Sequence, residues 1–284
     1  MKIKSLYFIL LSLLVSINSI SQNNERKFKI HTLAFYNLEN LFDTINDTNK
    51  NDEASPIMEI KYNRGKIYKK KISNMARVIS EIGYDVTNRP PTIIGICEVE
   101  NRKVVEDLIA NEKLSNHNYG IVHYDSPDRR GIDVGLLYNK DIFEILNSNS
   151  HELYITYNNT NDRSYTRDQL VVSGKLDGEL IHLIVNHWPS RGADETKRIA
   201  AAEVNNSIID SLRGIYKNPK MITMGDFNDD PFDKSIKKIL GAKKEINDVG
   251  KNDLYNPFEK ILVEQGIGTN AYRDKWQLFD QIIL

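Results

Sequence analysis

An acid and an amide stand two residues apart at the end of an apolar run: Asp226 and Asn228 follow Gly225 in the segment at positions 225–228. Residues 221–224 are typical of a buried strand, and Gly225 permits a tight exit that brings both polar side chains to one side. An Asp oxygen is a hard ligand for Mg²⁺ or Ca²⁺, or a general base for water, and an Asn amide can orient a phosphate. An ordinary Asx turn has the same residues, so the segment alone leaves both readings open.

Glu98 has a similar position after the apolar run at residues 92–97. Taken alone, it could serve as a cap or a salt-bridge partner. Together with Asp226, it offers Mg²⁺ a second carboxylate, and Mg²⁺ usually takes one or two of these and completes its octahedron with water and substrate phosphate. The ends of neighbouring buried strands meet at one rim of a sheet, where clustered carboxylates are costly unless cations neutralise them. The pair therefore suits phosphoryl chemistry.

His187 and Arg167 are the other candidates. His187 follows a strand-like run and precedes a turn that contains Pro189. A pKa near neutrality would let it protonate a leaving oxygen, although a single histidine is more often structural. Arg167 stands just ahead of another strand-like run, and a guanidinium can grip a phosphate through two parallel hydrogen bonds. Its alternative is a salt bridge with Asp168.

The composition is that of an ordinary globular protein, with 40% hydrophobic and 27% charged residues in a chain of 284. The net charge of −1 gives no global field that would attract a polyanion, so nucleic acid would have to be bound by local patches of Arg and Lys. Cys97 is the one cysteine, which rules out an intramolecular disulfide.

Strands and helices alternate along the chain. Short apolar runs predict strands at residues 32–36, 92–97, 133–138, 170–173, 181–185, 221–224 and 279–284. Helical patterns occupy residues 64–82, 101–110 and 196–212. This order suggests a core of two sheet layers flanked by helices, in one domain.

The N-terminus has the layout of a secretory signal peptide. Lys2 and Lys4 precede an apolar run at residues 6–17, and small residues at Ser19 and Ser21 suit a cleavage site. The run is shorter than the ~20 residues that span a bilayer. We therefore expect residues 1–21 to be a signal peptide, residues 22–284 to be one domain, and the protein to be exported to the periplasm or the medium without a stable membrane anchor.

Six short motifs resemble, in order and spacing, those of the endonuclease/exonuclease/phosphatase superfamily, the DNase I-like proteins. They are Asn37-Leu38-Glu39, Cys97-Glu98, Tyr165-Thr166-Arg167, Asn186-His187, Gly225-Asp226-Phe227-Asn228 and Phe279-Asp280-Gln281. The resemblance implies an α/β four-layer sandwich of two packed mixed β-sheets with helices outside. It also implies in-line attack of water on phosphorus, assisted by Mg²⁺ or, alternatively, by Ca²⁺ or Mn²⁺.

The resemblance also implies roles for individual residues. These are metal-binding Asn37 and Glu98, supporting Glu39, phosphate-binding Arg167 and Asn186, and catalytic His187, Asp226, Asn228 and Asp280. The family's last motif, Ser-Asp-His, does not follow Asp280 in this sequence. We expect a truncated C-terminus rather than a natural loss, and little hydrolysis by the chain as given, since losing a catalytic base costs on the order of 10²–10⁴-fold in rate.

We expect an exported endonuclease that acts as a monomer on nucleic acid, most simply a DNase. One alternative is a phosphomonoesterase or a sphingomyelinase-like phosphodiesterase of the same fold. No aromatic hairpin suited to membrane insertion stands out in the sequence, which weighs against the lipid substrate. A further alternative is a catalytically impaired protein that binds nucleic acid or phosphate.

Overall fold

Two large β-sheets bring the polar strand ends to a common rim. The computed structural model describes residues 28–157 and 160–284, so the predicted signal peptide lies outside the described residues. The strands of the large sheets are β1 (Leu33–Leu41), β2 (Ile93–Val99), β3 (Tyr119–His123), β4 (Asp133–Asn139), β5 (Phe143–His151), β6 (Gln169–Leu176), β7 (Glu179–His187), β8 (Lys220–Asp226) and β9 (Asp280–Ile283).

Both sheets are mixed. The first has the order β1-β2-β4-β3, in which β1 and β2 are parallel and the other pairs antiparallel. The second has the order β9-β8-β7-β6-β5, in which β7 and β8 are parallel and the other pairs antiparallel. Residues 31–284 form one compact unit, and the predicted fold of two mixed sheets flanked by helices is confirmed.

The longer helices cover the outer faces of the sheets. They are α1 (Arg64–Glu81), α2 (Arg102–Ile109), α3 (Glu195–Ile215) and α4 (Phe258–Gln265). Helix α1 buries Ile72, Met75, Ala76 and Ile79, which recur at helical spacing and pack with α2 on the first sheet. Helix α3 packs an apolar face on the second sheet. A third apolar cluster fills the space between the sheets, which gives four layers.

Strand β2 shows how side-chain alternation assigns residues to layers. Ile94 and Ile96 belong to the cluster under α1 and α2, whereas Ile93 and Cys97 belong to the cluster between the sheets. A bulge then interrupts the pairing with β4, and Glu98 has a φ of 59°, in the left-handed region. The bulge places the Glu98 side chain at the rim.

The two large sheets contain two strands that the sequence patterns did not predict, β3 and β5. Strand β5 lies at the edge of its sheet and leaves most of its side chains exposed, so its sequence is polar rather than apolar. Short elements complete the chain: helical turns at Asp52–Ala54, Pro56–Glu59, Tyr84–Thr87, Ser115–His117, Ser235–Ile239 and Ile246–Asp248, and strand pairs Ile155–Thr156 with Arg163–Ser164, Ala242–Lys243 with Leu254–Tyr255, and Asn270–Tyr272 with Lys275–Gln277.

The last of these pairs is a hairpin that exposes Tyr272 and Trp276, so an aromatic hairpin is present although the sequence did not reveal one. None of the helices formed by residues 28–157 and 160–284 is long and apolar enough to cross a membrane.

Candidate active site

Four polar side chains from four strands meet at the rim between the two sheets. Asn37 lies on β1, Glu98 on β2, His187 at the end of β7 and Asp226 at the end of β8. Asn37, His187 and Asp226 each follow an apolar residue of the same strand by two positions and therefore point to the same side of their sheet. Those apolar residues are Phe35, Val185 and Met224, and they pack in the layer between the sheets. The alternation of the strands therefore turns three of these polar side chains toward the opposite sheet, and the β2 bulge adds Glu98.

The polar atoms of this cluster are close together. Asn37 Nδ2 donates to Glu98 Oε1 at 3.1 Å and to Asp226 Oδ2 at 3.2 Å. His187 Nε2 lies 3.9 Å from Glu98 Oε1 and 3.8 Å from Asp226 Oδ2. One ligand atom each from Glu98, His187 and Asp226 can be chosen so that all three lie within 4.8 Å of one another. We call the four residues Asn37, Glu98, His187 and Asp226 the rim cluster.

Gly225 is required by the closeness of strands β7 and β8. A Cβ atom at this position would lie 2.3 Å from the carbonyl oxygen of Asn186 and 2.6 Å from its Cβ. The structure thus gives Gly225 a different role from the predicted tight exit, since the residue is still paired with Asn186 inside the sheet. Because Gly225 has no side chain, the two strands can approach closely, and Asp226 lies beside His187, its partner in the pairing of β8 with β7.

Asp226 is a buried acid of the rim cluster, and its pKa is raised. Burial raises its pKa to about 7, and the charges of Asp280 and Glu98 add to the effect, while the hydrogen bond from the Asn228 N–H and the charge of Arg167 oppose it. Asp280 stands opposite Asp226 in the antiparallel register of β8 and β9. Burial also raises the pKa of Asp280, and its Oδ1 is buried without a hydrogen-bond partner among residues 28–157 and 160–284. The rim thus concentrates negative charge.

His187 is neutral at pH 7. Burial lowers its pKa well below 6.5, and the positive charges of Arg167 and Arg130 lower it further. The prediction that His187 titrates near neutrality was therefore wrong, because the side chain is only 5% exposed and the charges of Arg167 and Arg130 add to the effect of burial. Its Nε2 lies beyond hydrogen-bond distance of both Glu98 and Asp226. A general acid at this position would donate from the neutral ring, and the role itself stays a prediction.

Arg167 is buried next to the rim cluster and does not pair with Asp168. Its Nη1 donates to Asp128 Oδ2 at 3.4 Å and its Nη2 donates to the carbonyl oxygen of Trp188. Asp168 instead accepts hydrogen bonds from Ser150 and from the backbone of the segment after β5. With only 6% of its surface exposed, the guanidinium is a fixed positive charge beside the site, and its binding of phosphate stays a prediction.

Asn186 does not face the rim. It has the parity of Ile184, which packs under helix α3, and it is fully buried. Its Nδ2 donates to Thr223 Oγ1 at 2.8 Å, and its Oδ1 accepts from Trp188 Nε1 at 3.1 Å and from Asn205 Nδ2 at 2.9 Å. The prediction that Asn186 binds phosphate is corrected here: the amide is engaged in the interior, where it positions the Trp188 turn.

Asn228 and Glu39 flank the cluster in different ways. The Asn228 side chain donates from Nδ2 to the carbonyl of Trp188 at 3.0 Å, and its backbone N–H donates to Asp226 Oδ1 at 2.9 Å. Glu39 is exposed, and its backbone N–H donates to Asn37 Oδ1 at 2.8 Å. Glu39 therefore supports the site through its backbone, and a supporting role for its carboxylate stays a prediction.

The rim cluster fits a divalent cation by the chemistry of its donors. Glu98 and Asp226 supply hard carboxylate oxygens and His187 supplies a nitrogen, all within reach of one ion. A cation would also offset the repulsion that raises the pKa of Asp226. Asn37 presents Nδ2 to the carboxylates, so an amide oxygen ligand would require the side chain to rotate and give up its bond to Glu39.

A cleft of about 570 Å³ opens at the rim cluster. Its lining includes Asn37, Asp226 and Asn228, together with Asp280 and Phe279 from the start of β9 and the turn before it. The cleft gives a phosphoester direct access to Asp226 and Asp280. The structure thus brings Asn37, Asp226, Asn228 and Asp280 together around one opening.

Asp128 is a functional position that the sequence pattern did not reveal. It is 4% exposed and pairs with Arg167, which is 39 residues away along the chain. The only local signal is a run of charged residues at positions 125–130, between two strands. Such a run is normally a solvated loop, so only the tertiary contact identifies Asp128 as the residue that holds Arg167 in place.

Comparison with known proteins gives the family. A family profile described as "Endonuclease/Exonuclease/phosphatase family" matches residues 32–284. The chain belongs to this family. Membership makes it a phosphoesterase of the endonuclease/exonuclease/phosphatase superfamily, whose members generally use divalent metal ions. No sequence among the curated proteins matches the chain.

Several solved structures share the fold of this family member at low sequence identity. A mannosyl-6-phosphatase from Bacteroides thetaiotaomicron is 19% identical, with a TM-score of 0.57 over 88% of this chain and 84% of that chain. ANGEL2, a 2',3'-cyclic phosphatase, is 13% identical, with a TM-score of 0.55 over 89% and 82%. The human Nocturnin catalytic domain is 16% identical, with a TM-score of 0.51 over 75% and 74%. At these identities the likeness shows the DNase I-like fold.

Proposed function

We propose that the chain is a divalent-metal-dependent phosphodiester hydrolase that is exported and acts as an endonuclease. The observation that carries the proposal is the convergence of Glu98, His187 and Asp226 within 4.8 Å, next to a cleft that Asp226 lines. Carboxylate oxygens that share a cation with a substrate phosphate are the usual arrangement of Mg²⁺ in phosphoryl transfer. Ca²⁺ and Mn²⁺ are the alternatives. The predicted signal peptide supports export, and an exported nuclease would meet nucleic acid released from cells.

The residues of the chain have distinct tasks in this proposal. A cation held by Glu98 and Asp226 would supply positive charge at the phosphate. Asp226 lines the cleft, where its carboxylate orients the attacking water. The neutral His187 imidazole donates a hydrogen bond that stabilises the leaving oxygen, and the proton released by the attacking water reaches that oxygen through solvent. Arg167 is fixed by Asp128 and Trp188 and stabilises the charge that develops on phosphorus oxygens.

The test is a substrate panel with purified protein. Plasmid DNA, RNA, bis-p-nitrophenyl phosphate, p-nitrophenyl phosphate and sphingomyelin are each incubated with Mg²⁺, Ca²⁺ or Mn²⁺ and with EDTA. We expect slow metal-dependent nicking of the plasmid, in keeping with the little hydrolysis expected of a chain without the Ser-Asp-His motif. This nicking should be lost with EDTA and lowered further, on the order of 10²-fold or more, by Glu98→Gln. The control is Asp210→Asn, which changes a carboxylate that is 74% exposed on α3.

The panel also separates the alternatives. Hydrolysis of p-nitrophenyl phosphate alone would replace the endonuclease with a phosphomonoesterase, an option kept because one protein of similar fold is a mannosyl-6-phosphatase. Binding of DNA without cleavage of any substrate would indicate a non-catalytic protein. If Asp226→Ala leaves an observed activity intact, the assignment of the rim cluster as the active site is refuted.

A further inference from the structure

A second cavity, of about 200 Å³, adjoins the rim cluster through Arg167. Four cationic side chains line it, Arg129, Arg130, Arg167 and Lys197, against a single carboxylate, that of Asp128. The whole chain has a net charge of −1, so this excess of positive charge is local. Ligand pockets for drug-sized molecules are usually ~300–1,000 Å³, so a cavity of this size suits one small group of a ligand.

The single carboxylate does not neutralise the cations around it. Asp128 Oδ2 accepts from Arg167 Nη1, and its Oδ1 accepts from the Arg130 N–H at 2.9 Å. Lys197 Nζ donates to Ser164 Oγ at 2.9 Å, a neutral hydroxyl, and lies 4.6 Å from the ring centroid of Tyr157. The ammonium of Lys197 is thus held beside the cavity by groups that carry no charge.

Two buried polar groups of lining residues have no hydrogen-bond partner within the described part of the chain. They are Thr166 Oγ1 and Arg167 Nε, whose residues are 4% and 6% exposed. A buried polar group without a partner costs about 1–3 kcal/mol, which is why native proteins rarely leave one. Both residues line the second cavity, so a ligand bound there would lie next to polar groups that the described part of the chain leaves unused.

The cavity is linked to the rim cluster through one carbonyl group. The Trp188 oxygen accepts from Arg167 Nη2 and from Asn228 Nδ2. Asn228 lines the cleft at the rim cluster, whereas Arg167 lines the second cavity. A group in the second cavity is therefore separated from the rim by Arg167 and would be a neighbour of the phosphate that is hydrolysed.

We infer that this cavity binds a second phosphate group of the substrate, next to the phosphate that is hydrolysed. The inference rests on the proposed function, because it describes how that substrate extends beyond the rim cluster. Two sources share the chemistry: an adjacent phosphate of a nucleic-acid strand, and the second phosphate of a small bisphosphorylated molecule. Tyr165 also lines the cavity and is 43% exposed, and the guanidinium groups of Arg129 and Arg163 lie 5.2 Å and 4.7 Å from its ring centroid.

Binding of inorganic phosphate in EDTA tests the cavity without catalysis. Isothermal titration compares the unchanged protein with Lys197→Met, which keeps the apolar stem and removes the charge. The matched control is Lys217→Met, an exposed lysine just beyond the other end of α3, ~30 Å away along the helix axis. We expect Lys197→Met to weaken phosphate binding about tenfold or more, with the control unchanged. Absence of saturable binding, or equal affinity in all three proteins, would overturn the inference.

Competition and kinetics identify the source of the phosphate. Displacement of phosphate by a short oligothymidylate points to a nucleic-acid strand, and displacement by a hexose bisphosphate alone points to a small molecule. For a dinucleotide with a 5′-phosphate, we expect Lys197→Met to raise KM about tenfold more than for the dinucleotide without it. Equal effects on the two substrates contradict the inference. If no phosphoester is hydrolysed, the proposed function fails, whereas phosphate binding that depends on Lys197 still supports the second cavity.

Discussion

Replacing Asp226 by Asn should stabilise the metal-free protein, and more so at high pH. The Asp226 pKa is raised from 3.8 to about 7 by burial and by neighbouring carboxylates, and the residue is 8% exposed. At a pH well above both values, the raised pKa lowers the stability of the folded protein by about 4 kcal/mol, since one pKa unit is worth about 1.4 kcal/mol. Asn keeps one of the two acceptor oxygens, so it loses either the bond from Asn37 Nδ2 or the bond from the Asn228 N–H, which offsets about 1 kcal/mol of that gain.

The sign of the pH dependence follows from the direction of the shift. A carboxyl whose pKa is raised in the folded state carries no penalty below its unfolded value of 3.8, and the full penalty appears once the pH passes about 7. At pH 5 the penalty is less than half of its full value of about 4 kcal/mol, which is reached by pH 8. The gain from Asp226→Asn should therefore be roughly 3 kcal/mol larger at pH 8 than at pH 5.

Urea denaturation in EDTA at the two pH values measures this gain, with Asp210→Asn as the exposed control. Added Mg²⁺ should then stabilise the unchanged protein and have little effect on Asp226→Asn, because the substitution removes a cation ligand. A gain that is equal at pH 5 and pH 8, or one that appears equally in Asp210→Asn, would refute the argument that Asp226 is held in a repulsive, desolvated site.

Three further predictions concern the neighbours of Asp226. Gly225→Ala should lower the free energy of unfolding by about 3 kcal/mol, because the new Cβ would meet the Asn186 carbonyl. The control is Gly214→Ala in α3, where a Cβ meets no atom within 4 Å and should be stabilising by up to ~1 kcal/mol. Equal urea midpoints for the two variants would contradict this prediction. Asn186→Ala should cost about 2–4 kcal/mol in the same assay, as it leaves buried partners unpaired, and a change in KM without loss of stability would show that the amide contacts substrate. His187→Gln should lower phosphodiesterase kcat on the order of 10²–10⁴-fold while His151→Gln does not, and equal rates in the two variants would remove His187 from the mechanism.

Much of the fold could be predicted from the sequence because buried strands need apolar side chains on both faces. The run before Glu98 is apolar throughout, since β2 packs on helices on one side and on the second sheet on the other. Strand β5 was missed for the converse reason, as an edge strand with an exposed face has little apolar pattern to detect. The motif series also indicated the family that the profile match confirms.

The sequence by itself determined which polar residues end the strands and that Glu98 and Asp226 belong to one rim. Only the tertiary structure decided what each side chain does there. Asn186 and His187 are adjacent in the chain, yet alternation turns the first under helix α3 and the second into the rim cluster. Arg167 meets Asp128 rather than the adjacent Asp168. Burial and the neighbours that folding brings together set the pKa of each group, and neither can be read from a linear sequence.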